Sequence, residues 1–167
     1  MSRQFDYRAT PPHPAAAVFA AMVDADCLNA RLAKLGGRNA ALLEHEADAE
    51  HARFRVQHGL DPDDMPSAVR SFLPSDFVII RLETWRRDAD GRYTGMADVQ
   101  VPHTPAEASG QMGLRDASAG SELRIRTDVA VKVPLVGGRI EESVGAQILK
   151  LLASETAFTL DWMSRNP

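Results

Sequence analysis

The chain has 167 residues, a net charge of -4, 44% hydrophobic and 25% charged residues, and a single cysteine. That length supports a hydrophobic core without metal or disulfide staples, and one domain over residues 1–167 is expected. Scattered Lys and Arg argue against a nucleic-acid partner, a lone cysteine excludes an intrachain disulfide and a thiolate-rich metal site, and no uncharged apolar run reaches the length of an integral membrane segment. No secretory leader is evident before the first prolines, so a cytoplasmic location is expected.

Phe5, Tyr7 and Ala9 alternate with Gln4, Asp6 and Arg8, which predicts a half-buried strand over Arg3 to Ala9, ended by Pro11, Pro12 and Pro14. Ala15, Val18, Phe19 and Met22 then recur at helical spacing. Asp24 suits the cap of a second short helix carrying Leu28, Leu32 and Leu35, stopped by Gly36 and Gly37. Ala41 to Ala47 and His51 to Leu60 predict a hairpin around Asp48, Ala49 and Glu50, with Phe54, Val56, His58 and Leu60 on one face. MPSAVRSFL, bounded by Pro66 and Pro74, predicts a lid helix presenting Met65, Val69, Phe72 and Leu73.

Four further strands follow at Asp76–Arg87, Arg92–Pro102, Ala106–Asp116 and Ser121–Val133, separated by turn-forming residues such as DADG. In the last of them Leu123, Ile125, Thr127, Val129, Val131 and Val133 share a face opposite Arg124, Arg126, Asp128 and Lys132, so one sheet face is buried and the other wet. In the first of them Val78, Ile80, Leu82 and Thr84 form the apolar alternate. Trp85 has the parity of Arg81 and Glu83, so one set is compromised or the outer face is covered.

The last strand halts at Pro134, Gly137 and Gly138 supply freedom for a sharp reversal, and a helix of roughly seven turns runs to near Arg165. The two glycines do not form a phosphate loop. The G-x-x-x-x-G-K-[ST] spacing is absent, and Glu141 and Glu142 in the first turn would repel an anion. Ile140, Val144, Ile148, Leu151, Leu152, Phe158 and Trp162 form one stripe of this helix, with Glu155 in its middle. A carboxylate there needs a partner, such as an arginine, or a polar role inside a pocket.

HPAAAVFAAMVDADCLNARLAKLGG, MPSAVRSFL, RLETW and VKVPLVGGRIEE together resemble the START-like lipid-transfer and polyketide-cyclase superfamily, and more closely an actinobacterial domain family of unknown function within it. The resemblance covers nearly the whole chain. It implies an α+β helix-grip fold, in which a curved antiparallel sheet of about seven strands grips a long C-terminal helix, two short helices follow the first strand, and an apolar cavity lies between sheet and helix.

The expected function is binding of a small hydrophobic or amphipathic ligand, such as a lipid, polyketide-like or isoprenoid molecule, with no cofactor. Tyr7, His58, Met65, Val69, Phe72, Ile80, Thr84, Thr127, Val144, Gln147, Ile148, Leu151 and Glu155 are the candidate ligand-binding residues. Gly95, Ala97, Ala108 and Gly110 are small residues at inward positions that would leave volume unfilled. His45, His51 and His58 lack a metal-site spacing, and no catalytic set assembles from the serines or Cys27.

Two alternatives stay open. One is a cyclase- or dehydratase-like enzyme pairing Glu155 with His58 or Tyr7 as acid and base. The other is an interaction or chaperone-cofactor module using Leu149, Leu160 and Met163, which would also permit a weak homodimer instead of a monomer.

Overall fold

The N-terminal alternation forms strand β1 (Ser2–Ala9), with Phe5, Tyr7 and Ala9 on its half-buried side. The computed structural model describes residues 2–59, 63, 65, 67–71, 73–74 and 76–167, so Leu60 and Phe72 lie outside the described residues. Helix α1 (Ala15–Met22) starts after Pro14 without a side-chain cap of its own, and Asp116 Oδ1 meets the amide of Ala15 at 2.8 Å from across the fold. Helix α2 (Ala25–Leu35) is capped locally, its N-cap Asp24 accepting from the Cys27 amide at 2.9 Å.

Strands β2 (Ala41–Ala47) and β3 (His51–His58) form the expected hairpin. Asp48 Oδ1 closes its turn by accepting from the amides of Glu50 and His51 at 2.8 and 2.7 Å. The pairing shifts between Leu42 and Glu44, which bulges the edge strand at Leu43. Within the expected lid, Ser67–Arg70 form a short helix, α3.

Strands β4 (Ile79–Arg87), β5 (Tyr93–Gln100), β6 (Ala106–Ala117) and β7 (Gly120–Val131) complete a seven-stranded sheet in the order β1-β7-β6-β5-β4-β3-β2, antiparallel throughout. Leu123, Ile125, Thr127, Val129 and Val131 are buried on β7, while Arg124 and Arg126 are exposed. Helix α4 (Gly137–Arg165) packs along β1 and β7 and against α1 and α2, giving the helix-grip arrangement that the resemblance implies. It touches the sheet at Gly145, where a Cβ would collide with the Phe5 ring. No helix among the described residues is long and apolar enough to cross a membrane.

Two local expectations are corrected. Leu135 takes the positive φ of 71° at the corner before α4, not Gly137 or Gly138. Gly137 is needed there for proximity, since a Cβ would meet Val131 O at 2.5 Å. Because α4 already begins at Gly137, Glu141 lies beyond its first turn. Its buried Oε2 accepts from the Val131 amide at 2.9 Å, tying helix to strand.

The parity of β4 is the second correction. Arg81 pairs with Val56, Glu83 with Phe54 and Trp85 with Ala52, all of them buried, so Arg81, Glu83 and Trp85 face inward. Ile80, Leu82 and Thr84 lie on the opposite face, Thr84 exposed. The apolar alternate is therefore the outer row, because the burial of Trp85 and the mutual pairing of the inward charges set the register against simple hydrophobicity.

Candidate ligand-binding cavity

Between the inner sheet face and α4 lies a cavity of about 350 Å³. Its apolar wall comes from Ala97 and Val99 on β5, Ala108 and Gly110 on β6, Val129 on β7, and Val144, Ile148 and Leu151 on α4. Met65 and Val69, each under a tenth exposed, cover it from the segment around α3. Small inward side chains on β5 and β6 are what keep it open: Ala97 and Gly110 are register partners, and so are Val99 and Ala108.

A cluster of ionisable groups in the wall is built from α2, β3, β4 and α4 by Arg31, His58, Arg81, Glu83 and Glu155, beside other polar residues such as Thr127, Gln147 and Thr156. Arg81 grips Glu155 with both terminal nitrogens, Nη1 to Oε1 at 3.1 Å and Nη2 to Oε2 at 2.8 Å. Its Nε stands 3.4 Å from Glu83, and Arg31 Nε stands 3.4 Å from Glu155 Oε2. A stripe of α4 that is otherwise apolar thus tolerates Glu155 because two guanidiniums from other elements meet it.

The electrostatics follow from this crowding. Burial opposes ionisation of Glu155, but Arg31 and Arg81 outweigh it and hold the carboxyl down at about 2. Burial pushes the His58 imidazole down to about 4; Arg81 and Arg31 act in the same direction, and Glu155 opposes them. His58 is therefore neutral near pH 7. Arg31 Nε and Nη2, Arg81 Nε and His58 Nε2 are buried with no hydrogen-bond partner among the described residues. A carboxylate clamped by two guanidiniums is a weak base, which disfavours Glu155 as one half of an acid–base pair.

Of the residues expected at the site, His58, Met65, Val69, Thr127, Val144, Gln147, Ile148, Leu151 and Glu155 border the cavity. Tyr7 does not: its hydroxyl donates to Thr156 Oγ1 at 3.0 Å, and its ring packs against the core around Phe19 and Trp85. Ile80 and Thr84 are on the other sheet face, for the register reason given above, and Phe72 lies outside the described residues. Gly95 is no part of the open volume, because the Trp85 ring sits on it, within 2.8 Å of where a Cβ would be.

Arg31, Arg81 and Glu83 are the polar residues that the sequence reading missed. Two signals pointed to them: the parity of Trp85 and the need of Glu155 for a cationic partner.

Elsewhere, Cys27 is buried in α2 and its thiol is pushed up to about 11 by burial, Arg31 opposing, which makes it an unreactive core group. His45 meets Val23 O at 2.6 Å, and His51 is exposed beside Asp48. Leu160 borders the cavity, Met163 packs against the core, and Leu149 is half-buried, so none of these three is a free surface hydrophobe.

A curved antiparallel sheet closed over a long C-terminal helix, with a cavity between them, defines a START-like helix-grip protein. Solved structures of the same fold include Ara h 8.0201 (13% identity, 96% of this chain and 99% of that one, TM-score 0.57). A protein of Thermus thermophilus matches over 99% of both chains at 12% identity and TM-score 0.59. Norcoclaurine synthase from Thalictrum flavum matches 93% of this chain and 84% of that one at 11% identity and TM-score 0.56.

At these identities the likeness establishes the fold alone. By sequence, residues 6–163 match the family described as "Protein of unknown function (DUF2505)", and the chain belongs to that family. Uncharacterized proteins of Mycobacterium tuberculosis and Mycobacterium bovis are 27% identical to it over 104 residues, 61% of this chain. That match spans 60% of the length of those relatives.

Proposed function

We propose that the protein binds a small hydrophobic or amphipathic molecule, such as a lipid, polyketide-like or isoprenoid compound, in the cavity between the sheet and α4. The observation that carries this is the cavity itself, about 350 Å³ with a predominantly apolar wall and a cluster of ionisable groups at one part of it. That is the composition of a small-molecule site, in which apolar area supplies affinity and a few polar groups fix orientation. The structural neighbours belong to a fold of the ligand-binding type, which supports the reading without naming a ligand. Met65 and Val69, on the segment covering the cavity, offer adaptable apolar contacts to the bound molecule.

The test uses native mass spectrometry of freshly purified protein together with titration of N-phenylnaphthylamine, a neutral apolar fluorophore. A stoichiometric apolar adduct, or saturable uptake of the fluorophore at one site, is expected. Ala108→Leu, which sends an isobutyl group into the cavity opposite Val99, should remove that uptake while the protein stays folded. An apo mass combined with no uptake by the wild-type protein sinks the reading.

A further inference from the structure

We propose that the molecule taken by this cavity carries a carboxylate head, received by the side-on edge of the Arg31 guanidinium with the imidazole of His58 beside it. The inference rests on the ligand-binding reading and specifies its chemistry.

The two buried guanidiniums of the site are unequal. Arg81 spends both terminal nitrogens on the two oxygens of Glu155. Arg31, 7% exposed, has no such carboxylate. Among the described residues its one ion pair is the 3.4 Å approach of Nε to Glu155 Oε2, and neither Nε nor Nη2 completes a hydrogen bond there. Those two nitrogens form one edge of the guanidinium, whose parallel N–H bonds match the two oxygens of a carboxylate.

Glu155 gives that edge only the 3.4 Å approach of Oε2 to Nε, while its two oxygens lie closer to Arg81, at 3.1 and 2.8 Å. Another buried polar atom without a partner among the described residues, His58 Nε2, belongs to a residue of the same cavity wall. Donors buried in this way cost stability unless an acceptor meets them, and both Arg31 and His58 border the cavity.

Charge narrows the head further. Arg31 and Arg81 are balanced by Glu83 and Glu155, which leaves the set formally neutral with His58 uncharged. A carboxylate adds one negative charge, which the unpaired N–H edge of Arg31 meets directly. A phosphate dianion would leave a second buried charge with no group to compensate it. An uncharged ester or alcohol would leave one donor of the paired edge unmet. The apolar tail would then run along Ala108, Val129 and Ile148.

The test compares dodecanoate with methyl dodecanoate, which has the same chain and no charge, by displacement of N-phenylnaphthylamine from the intact protein. Dodecanoate should bind the wild type at least about tenfold more tightly than the ester, the worth of one charge-assisted hydrogen bond. Arg31→Gln should cut that ratio to within about threefold while the ester keeps its affinity, because only the head loses a partner. Arg31→Lys keeps the cation beside Glu155 but not the parallel donors, and should lose most of the preference as well.

Equal affinity of acid and ester in the wild type overturns the inference, and so does a preference that survives in both variants. If Arg31→Gln does not fold, the wild-type ratio and Arg31→Lys decide. Binding of the ester without preference for the acid removes the carboxylate assignment and leaves the cavity reading standing. Failure of all three probes removes both.

Discussion

The inner face of one sheet builds two different regions. Across the paired rows of β5 and β6 the inward partners run Tyr93 with Leu114, Gly95 with Met112, Ala97 with Gly110, and Val99 with Ala108. At the first end the space is filled: Phe19 stacks on Tyr93 at 4.3 Å, Trp85 meets Phe19 edge-on at 6.1 Å, and the Trp85 ring covers Gly95. At the second end the small side chains Ala97, Gly110 and Ala108 border the cavity instead. Helices α1 and α2 cap the filled end, whereas α3 and the N-terminal half of α4 cover the open one. A small inward residue is therefore either a seat for a large neighbour or a piece of open volume, and the element packed opposite decides which.

The largest expected effect breaks the filled end. Trp85→Ala should cost about 3–5 kcal/mol in denaturant unfolding, because the neighbours that hold the ring cannot collapse onto Gly95.

Next comes the charged boundary between the two regions. Glu155→Gln leaves Arg31 and the Glu155 side of Arg81 without a carboxylate, and should cost about 3 kcal/mol at neutral pH. The sign with pH follows from a folded-state value of about 2, below the ordinary 4.5. The contribution of Glu155 is fully present above 4.5 and is lost as pH falls from there through about 2. The stability gap between wild type and variant should therefore narrow on acidification. Glu44, Asp48, Asp88 and Glu122, also held below their ordinary values, weaken both proteins alike and cancel, so the difference carries Glu155 together with the His58 imidazole coupled to it. A gap that stays constant from neutral pH down to pH 3 would contradict the clamp.

How much of this was legible in the sequence varies with how strongly one face of an element is marked. On β7 the contrast between Leu123, Ile125, Val129 and their charged neighbours is clear, because that strand has one dry and one wet face. The hairpin turn at Asp48 and the cap at Asp24 could be read for a local reason, since each is closed by its own side chain within three residues. On β4 the alternation misled. Ile80 and Leu82 sit on the outer face, and the inward Arg81 and Glu83 are tolerated only because they meet each other and Glu155, a partner 74 residues from Arg81. Such pairing is invisible to any local window. The alternation of β1 puts Tyr7 on its inward side, but the bond of its hydroxyl to Thr156 depends on where α4 crosses the strand.

The smallest effects sharpen the comparison, because one substitution can be made in both regions. Gly95→Ala places a Cβ 2.7 Å from the Trp85 ring and should cost about 1–3 kcal/mol, since a well-packed indole has nowhere to go. Gly110→Ala places a Cβ at an ordinary contact distance of 3.4 Å from the Ala97 Cβ, with the cavity alongside. No clash opposes it, and replacing a strand glycine reduces the freedom of the unfolded chain, so a gain of about 0.5 kcal/mol is expected. The same methyl group takes space from the cavity and should weaken N-phenylnaphthylamine uptake slightly. Opposite signs in the two melting curves would show that the glycines serve different purposes. Equal losses at both positions would mean that the second end is packed as tightly as the first, and the distinction between the two regions would fall.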